Sequence, residues 1–170
     1  MIQVPGEGRP RRLLVMRHAK ISWKSGAADD HGRPLNERGR RDAPRVGARL
    51  AELDRRPELV ISSDSERTRE TWHLMAERFP DTEAVFTGEL YLCDVADVVA
   101  ELSKVPPEVT TVMVLGHNPG WEDVVDALSG CSVTLTTANV ALLATWAGSW
   151  AEAARRTDWQ LEQVLRPKEL

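Results

Sequence analysis

Three short polar clusters in this chain carry side chains able to hold and move a phosphoryl group. They are Arg17-His18, then Ser62-Ser63-Asp64-Ser65-Glu66-Arg67, then Gly116-His117-Asn118. A phosphoryl group in transfer spreads negative charge over three oxygens, so its catalysis is mostly positioning and electrostatic stabilisation. Arginine offers a planar fork of donors that matches those oxygens. A neutral imidazole is a competent nucleophile near pH 7, because its unperturbed pKa lies just below. The set requires no metal and no cofactor. Carboxylates at magnesium-binding spacing on a strand end and a GxxxxGK[ST] loop are both missing from the sequence.

Each cluster follows a short apolar run that reads as a buried strand: Leu13–Met16, Leu59–Ile61 and Thr111–Leu115. In an open α/β sheet the carboxyl ends of parallel strands face one crevice. Segments far apart in sequence are therefore expected to bring His18, His117, Arg17 and Arg67 together. Between the strands, apolar residues recur at helical spacing: Ala43, Val46, Gly47, Leu50 and Leu53, with Asn36 as cap. Pro44 predicts a start or kink within that helix. Thr68, Trp72, Met75, Ala76 and Phe79 predict a second helix, Val95 to Leu102 a third, and Trp121 to Leu128 a fourth. Further strands are expected near 84–87, 139–147 and 158–165. Alternating strands and helices predict an α/β fold with a mostly parallel sheet covered on both faces. Residues 20–34 form a long polar loop, and such loops are often functional. N–H groups at the helix start near Gly120 are expected to add positive potential.

Length and composition fix the frame. The 170 residues, 42% hydrophobic and 28% charged, suit one globular domain over residues 11–170 behind a loose leader at residues 1–10. The formal net charge of −4 argues against a nucleic-acid partner of the basic kind, so an anionic ligand must be held by local cations. Cys93 and Cys131 show no C-x-x-C spacing and read as buried free thiols. With no signal stretch and no membrane-spanning run, a cytoplasmic protein with no membrane association is expected. Trp146, Trp150 and Trp159 are expected to complete the core.

Taken singly, these residues have plainer readings. His31 and His73 read as structural, and Arg67 as a solvated residue at a helix start. Asp29-Asp30-His31 reads as a solvated loop rather than a metal site. Gly116–Gly120 can be an ordinary turn. Three clusters at one topological position, with one chemistry, outweigh these readings.

At the same residues the sequence resembles the histidine phosphatase superfamily, also called phosphoglycerate mutase-like, and within it the SixA-type phosphohistidine phosphatases. Leu14-Val15-Met16-Arg17-His18-Ala19 is similar to the family's opening strand and Arg-His motif. Arg33-Pro34-Leu35-Asn36-Glu37-Arg38-Gly39 resembles its segment before the first helix. Ser62, Arg67 and Thr71 fit its Ser-x-x-x-x-Arg-x-x-x-Thr stretch, and Gly116-His117-Asn118-Pro119 its second-histidine motif. The resemblance implies a three-layer α/β/α sandwich. It implies His18 as the nucleophile, with Arg17, Arg67 and His117 forming the phosphate pocket. Lys24 stands where many members place a phosphate-contacting Asn, and Lys20 and Arg33 are further candidates for phosphate contact. Glu89 is the nearest candidate for a general acid; an ordinary loop carboxylate is an equal reading.

The expected activity is metal-independent phosphatase chemistry through a phosphohistidine. The expected partner is a phosphorylated substrate: phosphohistidine, free or within a protein, another phosphoramidate, or a phosphomonoester. An alkoxide leaving group needs an acid, whereas imidazole leaving from phosphohistidine needs less help. Rival readings are a small-molecule phosphomonoesterase, a mutase-like enzyme, and a non-catalytic module that binds phosphorylated ligands.

Overall fold

The computed structural model describes residues 8–170. Six strands form one sheet: β1 (Arg9–Arg17), β2 (Leu59–Ser63), β3 (Glu83–Thr87), β4 (Thr111–Gly116), β5 (Val140–Ala147) and β6 (Gln160–Leu165). Their order is β3-β2-β4-β1-β5-β6. The β1–β4, β2–β3 and β2–β4 pairs are parallel. The β1–β5 and β5–β6 pairs are antiparallel, so the sheet is mixed, with its parallel part on the β3 side.

The central strands are continuous apolar runs because both faces are covered. Alternation sorts each strand between two layers. Leu13, Val15, Val112 and Val114 pack with α3 (Val95–Ser103), α4 (Gly120–Ser129) and α5 (Trp150–Ala153). Leu14, Met16, Met113 and Leu115 pack with α1 (Glu37–Glu52) and α2 (Glu66–Met75). The result is the expected three-layer α/β/α sandwich.

Several expectations change in detail. A leader is expected over residues 1–10, but Arg9 and Pro10 already pair with Ala147 and Trp146 of β5; residues 1–7 lie outside the described residues. Helix α1 starts at Glu37, where the Asn36 side chain accepts from the Gly39 N–H, and runs through Pro44 to Glu52. Burial of Ala43, Val46, Gly47 and Leu50 along one face outweighs the hydrogen bond that Pro44 lacks. The four-residue α5 is too short to show a periodicity. Trp150 and Trp159 are buried, but Trp146, the second-last residue of β5, is 64% exposed. Cys131 is exposed and Cys93 half-buried, both as free thiols. Among the described residues, no helix is long and apolar enough to cross a membrane.

Candidate active site

The carboxyl ends of β1, β2 and β4 carry the three clusters, as the parallel register requires. His18 is anchored from both sides. Its N–H donates to the Gly116 carbonyl at the end of β4, and its carbonyl accepts from Ala138 N–H before β5. Next to it, the Ala19 N–H donates to Thr71 Oγ1 (3.1 Å), and the Thr71 hydroxyl donates to the Arg67 carbonyl (2.7 Å). Thr71 therefore ties α2, which carries Arg67, to the backbone of the histidine. Gly116 is required by packing, since a Cβ there would lie 2.5 Å from the Trp121 indole.

The side chain of His18 is oriented by its own neighbour. Nδ1 lies 2.7 Å from the Ala19 carbonyl oxygen. A carbonyl only accepts, so Nδ1 carries the hydrogen and Nε2 keeps its lone pair. The His117 ring lies 5.3 Å away, centroid to centroid. Its Nε2 is 2.8 Å from Ser63 Oγ. The Ser63 oxygen accepts from Ser65 N–H, and its own hydrogen can go to His117 Nε2. That arrangement leaves the hydrogen on His117 Nδ1.

Both rings are buried, His18 to 6% and His117 to 3% exposure. Burial, chiefly, lowers the His18 pKa to about 4; nearby Arg67 and Arg17 act in the same direction, against the Ala19 hydrogen bond. Burial followed by the charge of His18 lowers His117 to about 3. Both are neutral at pH 7.

Arg17 Nη1 donates to the Leu135 carbonyl at 3.0 Å. Arg67 Nη1 donates to the Asp30 carbonyl (2.8 Å) and Nη2 to Asp30 Oδ2 (3.0 Å). Among the described residues, the buried side-chain nitrogens without a hydrogen-bond partner include Arg17 Nε, Arg67 Nε and His117 Nδ1. Buried donors are nearly always satisfied, so unpartnered nitrogens on the two arginines whose charges reach His18 and on the neighbouring His117 describe a place for an anion. The start of α4 adds less than expected. The N–H groups of Trp121, Glu122 and Asp123 are taken by the His117 carbonyl, Asn118 Oδ1 and the Pro119 carbonyl.

A family model for the histidine phosphatase superfamily (branch 1) matches residues 13–91. An uncharacterised chloroplastic protein of Arabidopsis thaliana is 35% identical over 178 residues, covering 96% of this chain and 81% of its own. A SixA structure from Agrobacterium tumefaciens superposes with a TM-score of 0.80 at 27% identity, over 94% of this chain and 99% of that one. A SixA structure from Nakamurella multipartitia also gives 0.80, at 29% identity over 95% and 98%. This chain belongs to the histidine phosphatase superfamily. Within the superfamily it is SixA-like. The family match contains Arg17, His18 and Arg67 and ends before His117, which the fold supplies from β4.

In this histidine phosphatase the remaining candidates take different places. Lys24 is exposed, and Lys20 is half-buried. Arg33 lies over the exposed Trp23 ring, 4.5 Å from its centroid, and 3.7 Å from Asp30. Glu89 is exposed in a one-turn 3-10 helix, Gly88–Leu90. Its N–H donates to Thr87 Oγ1, and no hydrogen bond or ion pair forms at its carboxylate among the described residues.

Two residues that sequence reasoning passed over stand in the cluster instead. Asp30, read as solvated loop, holds Arg67. Tyr91, two positions beyond Glu89, donates to Asp30 Oδ2. The Tyr91 ring meets His117 edge-on at 5.4 Å and His31 at 4.8 Å. His31, read as structural, binds Asp64 Oδ1 at 2.8 Å, and its carbonyl accepts from Glu66 N–H at the start of α2. The one available signal was the length of the 20–34 loop directly after Arg17-His18. Among the described residues, no group of three or more His, Cys, Asp or Glu side chains is placed to hold a metal ion.

Proposed function

We propose that this protein is a metal-independent phosphatase in which His18 Nε2 takes the phosphoryl group, with phosphohistidine or a related phosphoramidate as the favoured substrate and phosphomonoesters as the alternative. The observation that carries the proposal is the His18 lone pair, fixed by Nδ1–H donation to Ala19, beside the unpartnered donors Arg17 Nε, Arg67 Nε and His117 Nδ1. The lone pair attacks phosphorus in line, and the donors receive the equatorial oxygens. Water then attacks phosphorus, the P–N bond breaks and His18 returns to its neutral form.

The membership in a superfamily of phosphatases supports the reaction class. The exposed and unpaired Glu89 supports a substrate whose leaving group needs little acid, since a general acid must be held within hydrogen-bond reach. The test is His18→Ala. Hydrolysis of p-nitrophenyl phosphate and formation of an acid-labile phosphoenzyme should both disappear. Full activity in that variant would refute the assignment of the nucleophile.

A further inference from the structure

The loop of residues 20–34 brings one carboxylate into the cationic cluster. Asp30 Oδ2 receives hydrogen bonds from Arg67 Nη2 and from the Tyr91 hydroxyl. Among the described residues Asp30 Oδ1 accepts no hydrogen bond; Arg33 Nε stands 3.7 Å from it, beyond hydrogen-bond range. One oxygen is thus fixed by two donors while the other is left to accept. The groups facing this carboxylate are Arg67 from α2, Tyr91 from beyond β3, and Arg33 from its own loop. Its charge is also felt by His18 and His117.

Placement decides which part of a substrate Asp30 meets. The His18 ring and the Arg67 guanidinium are buried, whereas the Asp30 side chain is 49% exposed. The carboxylate therefore stands at the mouth of the site. In an in-line transfer the leaving atom departs on the side of phosphorus opposite the nucleophile. With His18 at the floor, that side is the mouth.

Resting on the phosphohistidine reading above, we propose that Asp30 determines specificity: its Oδ1 accepts the ring N–H of a protonated phosphoimidazole leaving group. The proposal makes the transfer symmetrical. The substrate ring carries phosphorus on one nitrogen and hydrogen on the other. As His18 Nε2 forms its bond to phosphorus, the bond from phosphorus to the substrate ring breaks and its electron pair returns to that ring. The ring keeps its hydrogen and departs as neutral imidazole. His18 then holds phosphorus on Nε2 and hydrogen on Nδ1, against the Ala19 carbonyl. Each ring has one acceptor for its distal N–H: Ala19 O for His18, Asp30 for the substrate. An alkyl phosphate offers Asp30 no such donor and meets a carboxylate instead.

The test compares phosphoimidazole with p-nitrophenyl phosphate in the wild type and in Asp30→Asn. The hydrogen bond at stake joins charged groups, so kcat/KM for phosphoimidazole should fall about 10- to 100-fold. That fall should be at least about tenfold larger than the one for p-nitrophenyl phosphate. Tyr91→Phe removes one of the donors that fix Oδ2 and should give a smaller loss with the same substrate bias. An equal loss on both substrates would overturn the proposal, because Asp30 would then serve only to hold Arg67. A larger loss on the ester would overturn it as well, by making Asp30 an acid toward ester oxygen. If the wild type forms no phosphoenzyme from either compound, the nucleophile reading itself fails. If it forms one and the substrate bias does not change, only the role of Asp30 fails.

Discussion

Keeping two imidazoles neutral among arginines makes stability depend on pH in a way the site predicts. His18 is lowered from 6.5 to about 4 in the folded protein. In the unfolded chain it titrates at its ordinary value. Between those two values the unfolded state binds a proton that the folded state does not, so stability falls as pH falls. The contribution is fully present above about pH 6.5 and is lost on the way down to about pH 4. Each pH unit in that window removes about 1.4 kcal/mol, so His18 alone accounts for about 3 kcal/mol. His117, lowered to about 3, adds a similar slope over the same window. Urea denaturation at pH 7, 6, 5 and 4.5, in buffers free of phosphate and sulfate, measures the slope. The wild type should lose stability more steeply than His18→Gln by about 1.4 kcal/mol per pH unit, while other titrating groups cancel in the comparison. Parallel curves for the two proteins would show that His18 takes its proton normally in the folded state. The desolvated, cation-flanked imidazole would then be refuted.

Two further outcomes follow from the same geometry. Arg67→Lys keeps the charge but loses the fork whose Nη atoms hold Asp30 and whose Nε is buried without a partner. Steady-state kcat/KM on p-nitrophenyl phosphate should fall about 100-fold, with vanadate inhibition weakened in parallel. Thr71→Val leaves the Ala19 N–H without its acceptor at nearly constant volume. The urea midpoint should report a loss of about 1–3 kcal/mol, with slower phosphoenzyme formation as the His18 backbone loosens.

The four residues at the heart of the site were legible because each follows a buried strand. Leu13–Met16, Leu59–Ile61 and Thr111–Leu115 are apolar runs whose parallel pairing leaves only one end for Arg17, His18, Arg67 and His117. Asp30 and Tyr91 were not legible, for a physical reason. A loop has no periodicity, and its contacts are made by tertiary partners: Glu66 N–H, the Arg67 side chain, and Glu70, which accepts from Leu35 N–H. The segment after β3 offers Glu89 by sequence, yet its contacts to the cluster come through Tyr91. Trp146 is exposed where the core was expected because an apolar residue on a strand does not by itself say whether its face is covered. The antiparallel edge of β5 and β6 shows in topology, not in local pattern.

The sheet order also governs when the protein can acquire its chemistry during synthesis. Strands β1 and β2 do not pair with each other; both pair with β4, which lies between them. A nascent chain that ends before Thr111 holds His18, after β1, and Arg67, on the helix after β2, behind two strands that share no paired neighbour. Insertion of β4 joins the two strands and delivers His117 in the same event. Such long-range pairing makes assembly slow compared with helix formation. A ribosome-bound fragment that stops short of β4 therefore carries His18 without His117 beside it.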